Sequence, residues 1–219
     1  MASTWFDGTP KRIWIKQNWH RVLAHAGALA PLLVLGYNYL LGSLPFNLNR
    51  YLMLRAGTIG LILLMASLAC TPLNTLFGWP RIVQIRRALG LYGFMYIVFH
   101  LLVYAVLDSE LNFDLIWRDI SERPSMLVGL LGFVVLIPLV VTSTKGWQRR
   151  LGPRWRLLHK LVFLASPLSV LHYYWLDRDF VDVPLTYGAI VGLLLLLRLP
   201  PVRRMITQTR YRFFRPQPQ

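Results

Sequence analysis

Residues 88–107 read ALGLYGFMYIVFHLLVYAVL, a run of 20 residues that contains no Asp, Glu, Lys or Arg. A helix of this length spans roughly 30 Å, which matches the hydrocarbon core of a bilayer. The stretch therefore predicts a transmembrane helix. His100 is its only histidine, and because polar side chains are costly among lipid tails, an intramembrane histidine is a candidate functional residue.

Similar apolar runs recur on both sides of this stretch. Hydrophobic residues make up 55% of the 219-residue chain, and charged residues only 15%. We expect an all-α polytopic membrane protein, a bundle of six transmembrane helices, with spans at residues 22–41, 52–71, 88–107, 126–142, 157–176 and 185–199. Cys70 is the only cysteine, which excludes an intramolecular disulfide and a cluster held by several cysteines.

The charges of the chain predict its orientation. The net charge is +15, but the basic residues lie in short loops beside apolar runs, so we expect no nucleic-acid partner. An even number of spans places both termini on one side. On that side fall 19 of the 24 Lys and Arg residues, whereas eight of the nine Asp and Glu residues fall on the other. The positive-inside rule therefore predicts that both termini are cytoplasmic.

This topology divides the chain into three parts. They are a basic cytoplasmic N-terminal segment (1–21), the six-helix transmembrane domain (22–199) and a basic cytoplasmic tail (200–219). No internal repeat is evident. The basic cluster around the start of the fifth span is predicted to contact anionic membrane lipid or to dock an acidic soluble reductase; its members are Arg149, Arg150, Arg154 and Arg156.

Two histidines on different spans lie at the same depth. At ~1.5 Å per residue, His100 is roughly 18 Å from the cytoplasmic start of the third span and His172 roughly 22 Å from that of the fifth. Two imidazoles at one depth can bind a haem iron from both faces. A six-coordinate iron has no open position for oxygen or substrate, so the pair predicts electron transfer.

His159 lies on the same predicted span, roughly 20 Å closer to the cytoplasm than His172, and is a candidate ligand of a second cofactor. On a straight helix the two side chains point about 140° apart, although Pro167 between them can change that phase. The third span offers Arg86 and Arg87 at the level of His159, and these are candidates to bind haem propionates or a flavin phosphate. His20 and His25 are the remaining imidazole candidates.

Several stretches of the chain together resemble a known family. They are RRALGLYGFMYIVFHLLVY at 86–104, DISERPSMLVG at 119–129, PLVVTSTKGWQRRLGPRWRLLHKLVFL at 138–164 and HYYW at 172–175. They are similar to the MsrQ family, also called YedZ, the haem-binding membrane subunits of the bacterial periplasmic methionine sulfoxide reductase system. That family lies within the ferric-reductase-like transmembrane superfamily, and the resemblance covers nearly all of the chain from the first span to the sixth.

The resemblance implies an electron-transfer subunit in the bacterial inner membrane. Such a subunit receives electrons from a cytoplasmic flavin reductase or from quinone. It passes them through haem b, one or two per chain, to MsrP, a periplasmic molybdopterin enzyme that reduces methionine sulfoxide in oxidised proteins. The resemblance also implies FMN as a cofactor, and His100, His159 and His172 as haem ligands. Relative to the wider superfamily, which uses two histidines on each of two helices, this chain lacks one on the third span.

Two other classes of function compete with this interpretation. One is an independent transmembrane reductase of ferric ions or another outer acceptor, which would reduce metal chelates without a partner. The other is a proton-coupled transporter or a small structural membrane protein, in which the histidines relay protons or join helices. Such a protein would be colourless after purification.

Overall fold

The computed structural model describes the backbone of residues 11–43, 45–176 and 181–214, and the side chains of 18–43, 45–176 and 181–210. Residues 1–10 and 215–219 of the predicted terminal segments lie outside the described residues, as do residues 177–180 of the last outer loop. The described part of the chain is helical and contains no β-strand.

Ten α-helices follow one another in the described residues: α1 (Lys11–Leu40), α2 (Leu48–Phe77), α3 (Pro80–Leu102), α4 (Phe113–Glu122), α5 (Pro124–Val141), α6 (Lys145–Leu151), α7 (Pro153–Leu158), α8 (Val162–Leu176), α9 (Asp182–Leu196) and α10 (Pro200–Phe214). A π-helical turn, Val103–Asp108, extends α3, and a 3₁₀ turn, His159–Leu161, joins α7 to α8.

The first four predicted spans are confirmed as helices that are long and apolar enough to cross a membrane. They are Asn18–Leu40 within α1, all of α2, Pro80–Asp108, which includes the π-helical turn, and all of α5. The chain is therefore a multi-pass membrane protein. Its first helix already begins at Lys11, before the predicted boundary at residue 21, and it has a kink at Asn18, whose φ of −113° and ψ of 18° are not helical.

The predicted fifth span is not one continuous helix, which corrects the expectation of a single run from 157 to 176. It consists of the end of α7, the 3₁₀ turn and α8, which has 15 residues. Alone, α8 is about 22 Å long, shorter than the hydrocarbon core. The 3₁₀ turn is more tightly wound than an α-helix, and it therefore changes the direction in which the side chains before it point.

The predicted sixth span corresponds to α9, which also has 15 residues. The adjacent prolines Pro200 and Pro201 account for its end, because they have no N–H to donate to the carbonyl oxygens four residues earlier, at Leu196 and Leu197. The chain then turns by 73° into α10. By length and composition, α9 and α10 count as a candidate span only if this bent pair is taken as one.

Two helical hairpins form the centre of the bundle. In the first, α2 packs along α3, and in the second, α5 packs along α8. Glycines permit close approach in the first hairpin, since a Cβ at Gly60 would lie 3.2 Å from the Gly93 carbonyl oxygen and a Cβ at Gly93 would lie 3.1 Å from the Gly60 carbonyl oxygen. The second hairpin has small residues at the corresponding positions, 72 residues further along the chain. Gly132 corresponds to Gly60, and the fully buried Ala165 corresponds to Gly93.

Both ends of the described chain lie at the same end of the bundle. Near the start of the chain, His20 of α1 is 3.1 Å from the side-chain oxygen of Gln84, which lies in the first turns of α3. Near its end, Arg210 of α10 donates to the carbonyl oxygen of Asn74, which lies in the last turn of α2. Since α2 ends where α3 begins, the two contacts are on one side.

Candidate functional site

His100 and His172 face each other between the two hairpins. His100 lies near the end of α3 and His172 near the end of α8, and their ring centroids are 6.2 Å apart with the ring planes at 85°. Both rings are half-buried. The structure thus confirms the depth match that the sequence predicts for these two residues.

Each imidazole is oriented by a backbone carbonyl group. Nδ1 of His100 lies 2.8 Å from the Met53 carbonyl oxygen, and Nδ1 of His172 lies 2.6 Å from the Ser125 carbonyl oxygen. A carbonyl oxygen can only accept, so both Nδ1 atoms carry the proton and donate it. In a neutral ring Nε2 then carries the lone pair, which is the arrangement of a metal-ligating histidine whose other nitrogen is fixed by a hydrogen bond.

A glycine lies against each of these rings. A Cβ at Gly129 of α5 would lie 2.5 Å from Nδ1 of His172, and a Cβ at Gly57 of α2 would lie 3.0 Å from Nδ1 of His100. Any other residue at Gly129 would therefore displace the ring. Neither glycine is among the site residues predicted from the sequence.

The dimensions of the histidine pair fit a haem iron. With a metal–nitrogen bond of about 2.0–2.1 Å on each side, and about 1.1 Å from the nitrogen to the ring centroid, two axial imidazoles have centroids about 6.3 Å apart. The observed distance is 6.2 Å. No group of three or more His, Cys, Asp or Glu side chains comes together within the described residues, but a porphyrin-bound iron requires only two axial ligands from the protein.

The two halves of this site repeat each other along the chain. Ser125, Gly129 and His172 each lie 72 residues after their counterparts Met53, Gly57 and His100. The expectation of no internal repeat is therefore wrong at this site. A comparison of the sequence with itself at that offset would have paired the glycines and the histidines, but most of the intervening residues differ in identity and share only their apolar character.

His159 lies in the 3₁₀ turn, close to the end of α5. Its Nε2 is 3.1 Å from the Thr142 hydroxyl, which donates its own proton to the Pro138 carbonyl oxygen. The Thr142 oxygen therefore accepts from Nε2, and the lone pair of a neutral His159 ring is on Nδ1. Trp155 stacks on the ring with centroids 4.0 Å apart and donates its indole proton to the Thr142 carbonyl.

The 3₁₀ turn also reduces the difference in direction between His159 and His172. Each of its three residues advances by about 120° instead of about 100°, so the difference falls from about 140° to about 80°. Pro167, on which the sequence argument relied, lies inside α8. The 3₁₀ turn at His159–Leu161 is therefore a second source of a change in the angle between the two side chains, and the sequence did not indicate it.

The structure separates the two candidate arginines. Arg86 is half-buried, donates to the Thr71 hydroxyl at 3.2 Å, and is close enough to His159 to act on it electrostatically. Arg87 is exposed. Of the two arginines, Arg86 is thus the one whose charge acts on His159.

His20 and His25 are held by α3 on the side that packs against α1. Nδ1 of His25 lies 2.9 Å from the Tyr92 hydroxyl, and His20 contacts Gln84. Both hydrogen-bond partners are on α3, whereas the partner of His159 is on α5. The structure does not bring either residue into hydrogen-bond contact with His159.

A buried polar contact lies one turn beyond His100. In the π-helical turn, the Tyr104 hydroxyl donates to Asp119 at 3.0 Å, and Asp119 pairs with Arg123 at 3.3 Å. Tyr104 and Asp119 are only 8% and 7% exposed. This contact fixes α4 over the C-terminal end of α3, and π-helical turns are frequent beside functional sites.

Removal of this hydroxyl should destabilise the protein. We expect Tyr104→Phe to lower the free energy of unfolding by about 1.5–3 kcal/mol, because the buried Asp119 carboxylate loses a donor. The measurement is thermal unfolding in detergent followed by circular dichroism. Tyr92→Phe is the matched control, since the Tyr92 hydroxyl contacts His25, which is exposed. Equal melting temperatures for the two variants would contradict the assigned role.

Comparison with known proteins places the chain in a family. Residues 56–170, which include His100 and His159 and end two residues before His172, match the family model described as ferric reductase like transmembrane component. A curated relative from Rhodospirillum rubrum is 42% identical over 84% of this chain and 89% of its own length. Its name is protein-methionine-sulfoxide reductase heme-binding subunit MsrQ. The chain belongs to the MsrQ family.

Other members of the MsrQ family give the same result. A relative of the same name from Caulobacter vibrioides is 40% identical over 85% of this chain and 90% of its own length. A third, from Xanthomonas axonopodis pv. citri, is 38% identical over 80% of this chain and 83% of its own length. No solved structure matches the chain. The membership predicted from the sequence motifs is confirmed.

Proposed function

We propose that this MsrQ-family chain is a transmembrane electron-transfer subunit that carries electrons through haem b to a periplasmic methionine sulfoxide reductase. The observation that carries the proposal is the His100–His172 pair, with centroids 6.2 Å apart and both Nδ1 atoms engaged by carbonyl groups. The names of the curated relatives, heme-binding subunits of a methionine sulfoxide reductase, agree with it.

In this function the protein holds and orients the haem, and the partner carries out the reduction of methionine sulfoxide. Bound haem supplies reversible one-electron chemistry at its iron. His100 and His172 would hold the haem iron through their two imidazoles, and the haem would then transfer electrons without binding oxygen or substrate at the metal. The Met53 and Ser125 carbonyls fix the two rings. The acceptor is an MsrP-like periplasmic molybdopterin enzyme that repairs oxidised methionines in proteins.

The proposed topology has six passes with both termini in the cytoplasm of a bacterium, in its inner membrane. The charge distribution supports it, as does the location of both described ends at one end of the bundle. The fifth pass is α8 with the turn before it, and the sixth is α9. Residues 22–199 then form the haem-binding domain, between basic cytoplasmic segments at 1–21 and 200–219.

The inner site receives the electrons. It contains His159, with Arg86 close enough to act on it electrostatically and the exposed Arg87 next in the chain. We assign it either a second haem b ligated by His159 or FMN, with an arginine binding the propionates or the flavin phosphate. The donor is a cytoplasmic flavin reductase or membrane quinone.

The proposal is tested by the dithionite-reduced minus oxidised absorption spectrum of the purified chain, with haem quantified per polypeptide as pyridine haemochrome. We expect sharp b-type bands and at least one haem per chain. Two haems would assign the inner site to haem, and one haem with released FMN would assign it to the flavin. A featureless spectrum after haem-supplemented expression would contradict the proposal.

A second candidate function is an independent transmembrane ferric reductase, which the description of the matching family model favours. It differs from the first in its acceptor and not in its haem site. The test compares two rates for the purified, reduced chain, its oxidation by ferric chelates and its oxidation by a methionine sulfoxide reductase partner. Comparable rates would favour this candidate.

A further inference from the structure

A cavity of about 380 Å³ lies at the bend between α9 and α10, outside the sites described above. It is lined by Arg198, Pro200, Arg203, Arg204, Thr207 and Gln208. Three of the six lining residues carry a guanidinium group and none is acidic. The cavity is therefore strongly cationic.

Arg198 is held in place by two contacts. Its Nη2 donates to the Leu68 carbonyl oxygen of α2, and its guanidinium carbon lies 5.2 Å from the ring centroid of Phe163, a cation–π distance. Its Nε is buried and has no hydrogen-bond partner among the described residues. The hydrogen-bonding capacity of this guanidinium group is therefore not fully used within the described residues.

The other wall of the cavity is fixed to the end of α2. Arg210 of α10 donates to the carbonyl oxygens of Asn74 and Thr75 at 3.2 and 3.1 Å. It lies against Gly78, whose φ of 67° terminates α2. The cationic Arg210 thus interacts with the negative end of the α2 dipole. Arg203 and Arg204 are consequently kept beside Arg198.

No carboxylate compensates these cations in the described part of the chain. The two ion pairs recorded there involve Asp119 and Glu122, at the opposite end of the bundle. Arg86 also lies close enough to Arg198 for the two positive charges to repel each other. An anion in the cavity would offset the charge of the three arginines that line it, and guanidinium groups pair bidentately with phosphate oxygens.

We propose that Arg198, Arg203 and Arg204 form a binding site for a phosphate ester presented at the membrane surface. The 73° bend turns α10 away from the direction of α9, as expected for a helix that lies along the interface, and basic interfacial helices bind anionic lipids. Two sources supply the same chemistry. One is the head group of an anionic phospholipid, and the other is the phosphate of a flavin nucleotide.

Native mass spectrometry of the full-length protein, as purified with its bound groups, tests this site. The probes are phosphatidylglycerol and FMN, each with a matched compound that has no net negative charge. For the lipid it is phosphatidylcholine, whose choline cation neutralises the phosphate, and for FMN it is riboflavin, which has no phosphate. We expect wild type to bind one of the two anionic probes, and Arg203→Gln/Arg204→Gln to bind it at least about tenfold more weakly. The probe affected identifies the source.

The control variant is Arg81→Gln/Lys145→Gln, which removes the same charge from two exposed positions that do not line the cavity. Its binding should change by less than about twofold. The proposal is overturned if the Arg203/Arg204 variant binds both anionic probes like wild type, if the control loses as much binding, or if phosphatidylcholine and riboflavin bind as tightly as their charged counterparts. Binding is read by mass, so the result does not depend on the haem assignment.

Discussion

Replacement of either His100 or His172 by alanine should remove the outer haem and abolish electron transfer to the partner enzyme. The two rings face each other at a distance that fits one iron between them, so loss of either ring leaves one axial position without a protein ligand. We expect haem per polypeptide to fall by one equivalent in both variants. The measurement is pyridine-haemochrome quantification together with the reduced-minus-oxidised spectrum.

Two other histidines serve as controls for this result. His20→Ala should leave the spectrum nearly unchanged, because His20 contacts Gln84 on the side of α3 that faces α1. His159→Ala should retain the outer haem, because His159 is held by Thr142 at the inner end of α5. Full haem content in both the His100 and the His172 variants would refute the ligand assignment.

Gly129→Ala should disrupt the same haem without removing a ligand. The new methyl carbon would lie 2.5 Å from Nδ1 of His172, about 1 Å inside van der Waals contact. The ring must then move away from the Ser125 carbonyl that orients it. Loss of such an outer-shell hydrogen bond typically costs 10–100-fold in affinity, and we expect haem retention in a competition assay with apomyoglobin to weaken by about that factor.

Neighbouring glycines provide a graded series for this test. Gly132→Ala, one turn further along α5, should behave like wild type, since its Cβ would meet its nearest atom, Cβ of Leu168, at an ordinary 3.5 Å. Gly57→Ala should have an intermediate effect, because its Cβ would lie 3.0 Å from Nδ1 of His100. If Gly129→Ala and Gly132→Ala retained haem equally, the role assigned to Gly129 would be wrong.

The helical membrane class and the facing histidines could be predicted from the sequence for a simple physical reason. A bilayer imposes a length of about 20 apolar residues on each crossing helix, and helical rise converts residue number into depth. His100 and His172 therefore meet as depth predicts. Depth does not determine the direction of a side chain around its helix, so the surroundings of His159 could not be predicted in the same way.

The amino-acid sequence by itself determined the membrane class, the family and the level of the outer histidine pair, because each of these depends on local composition or on motif identity. Only the tertiary structure decided that Gly57 and Gly129 support the two rings, that Arg86 is the candidate arginine whose charge acts on His159, and that Arg210 fixes α10 to the end of α2. The physical reason is that these features join residues distant in the chain. Their contacts depend on the 3₁₀ turn, the double proline and the pairing of two hairpins, which together set the rotation and bend of each helix.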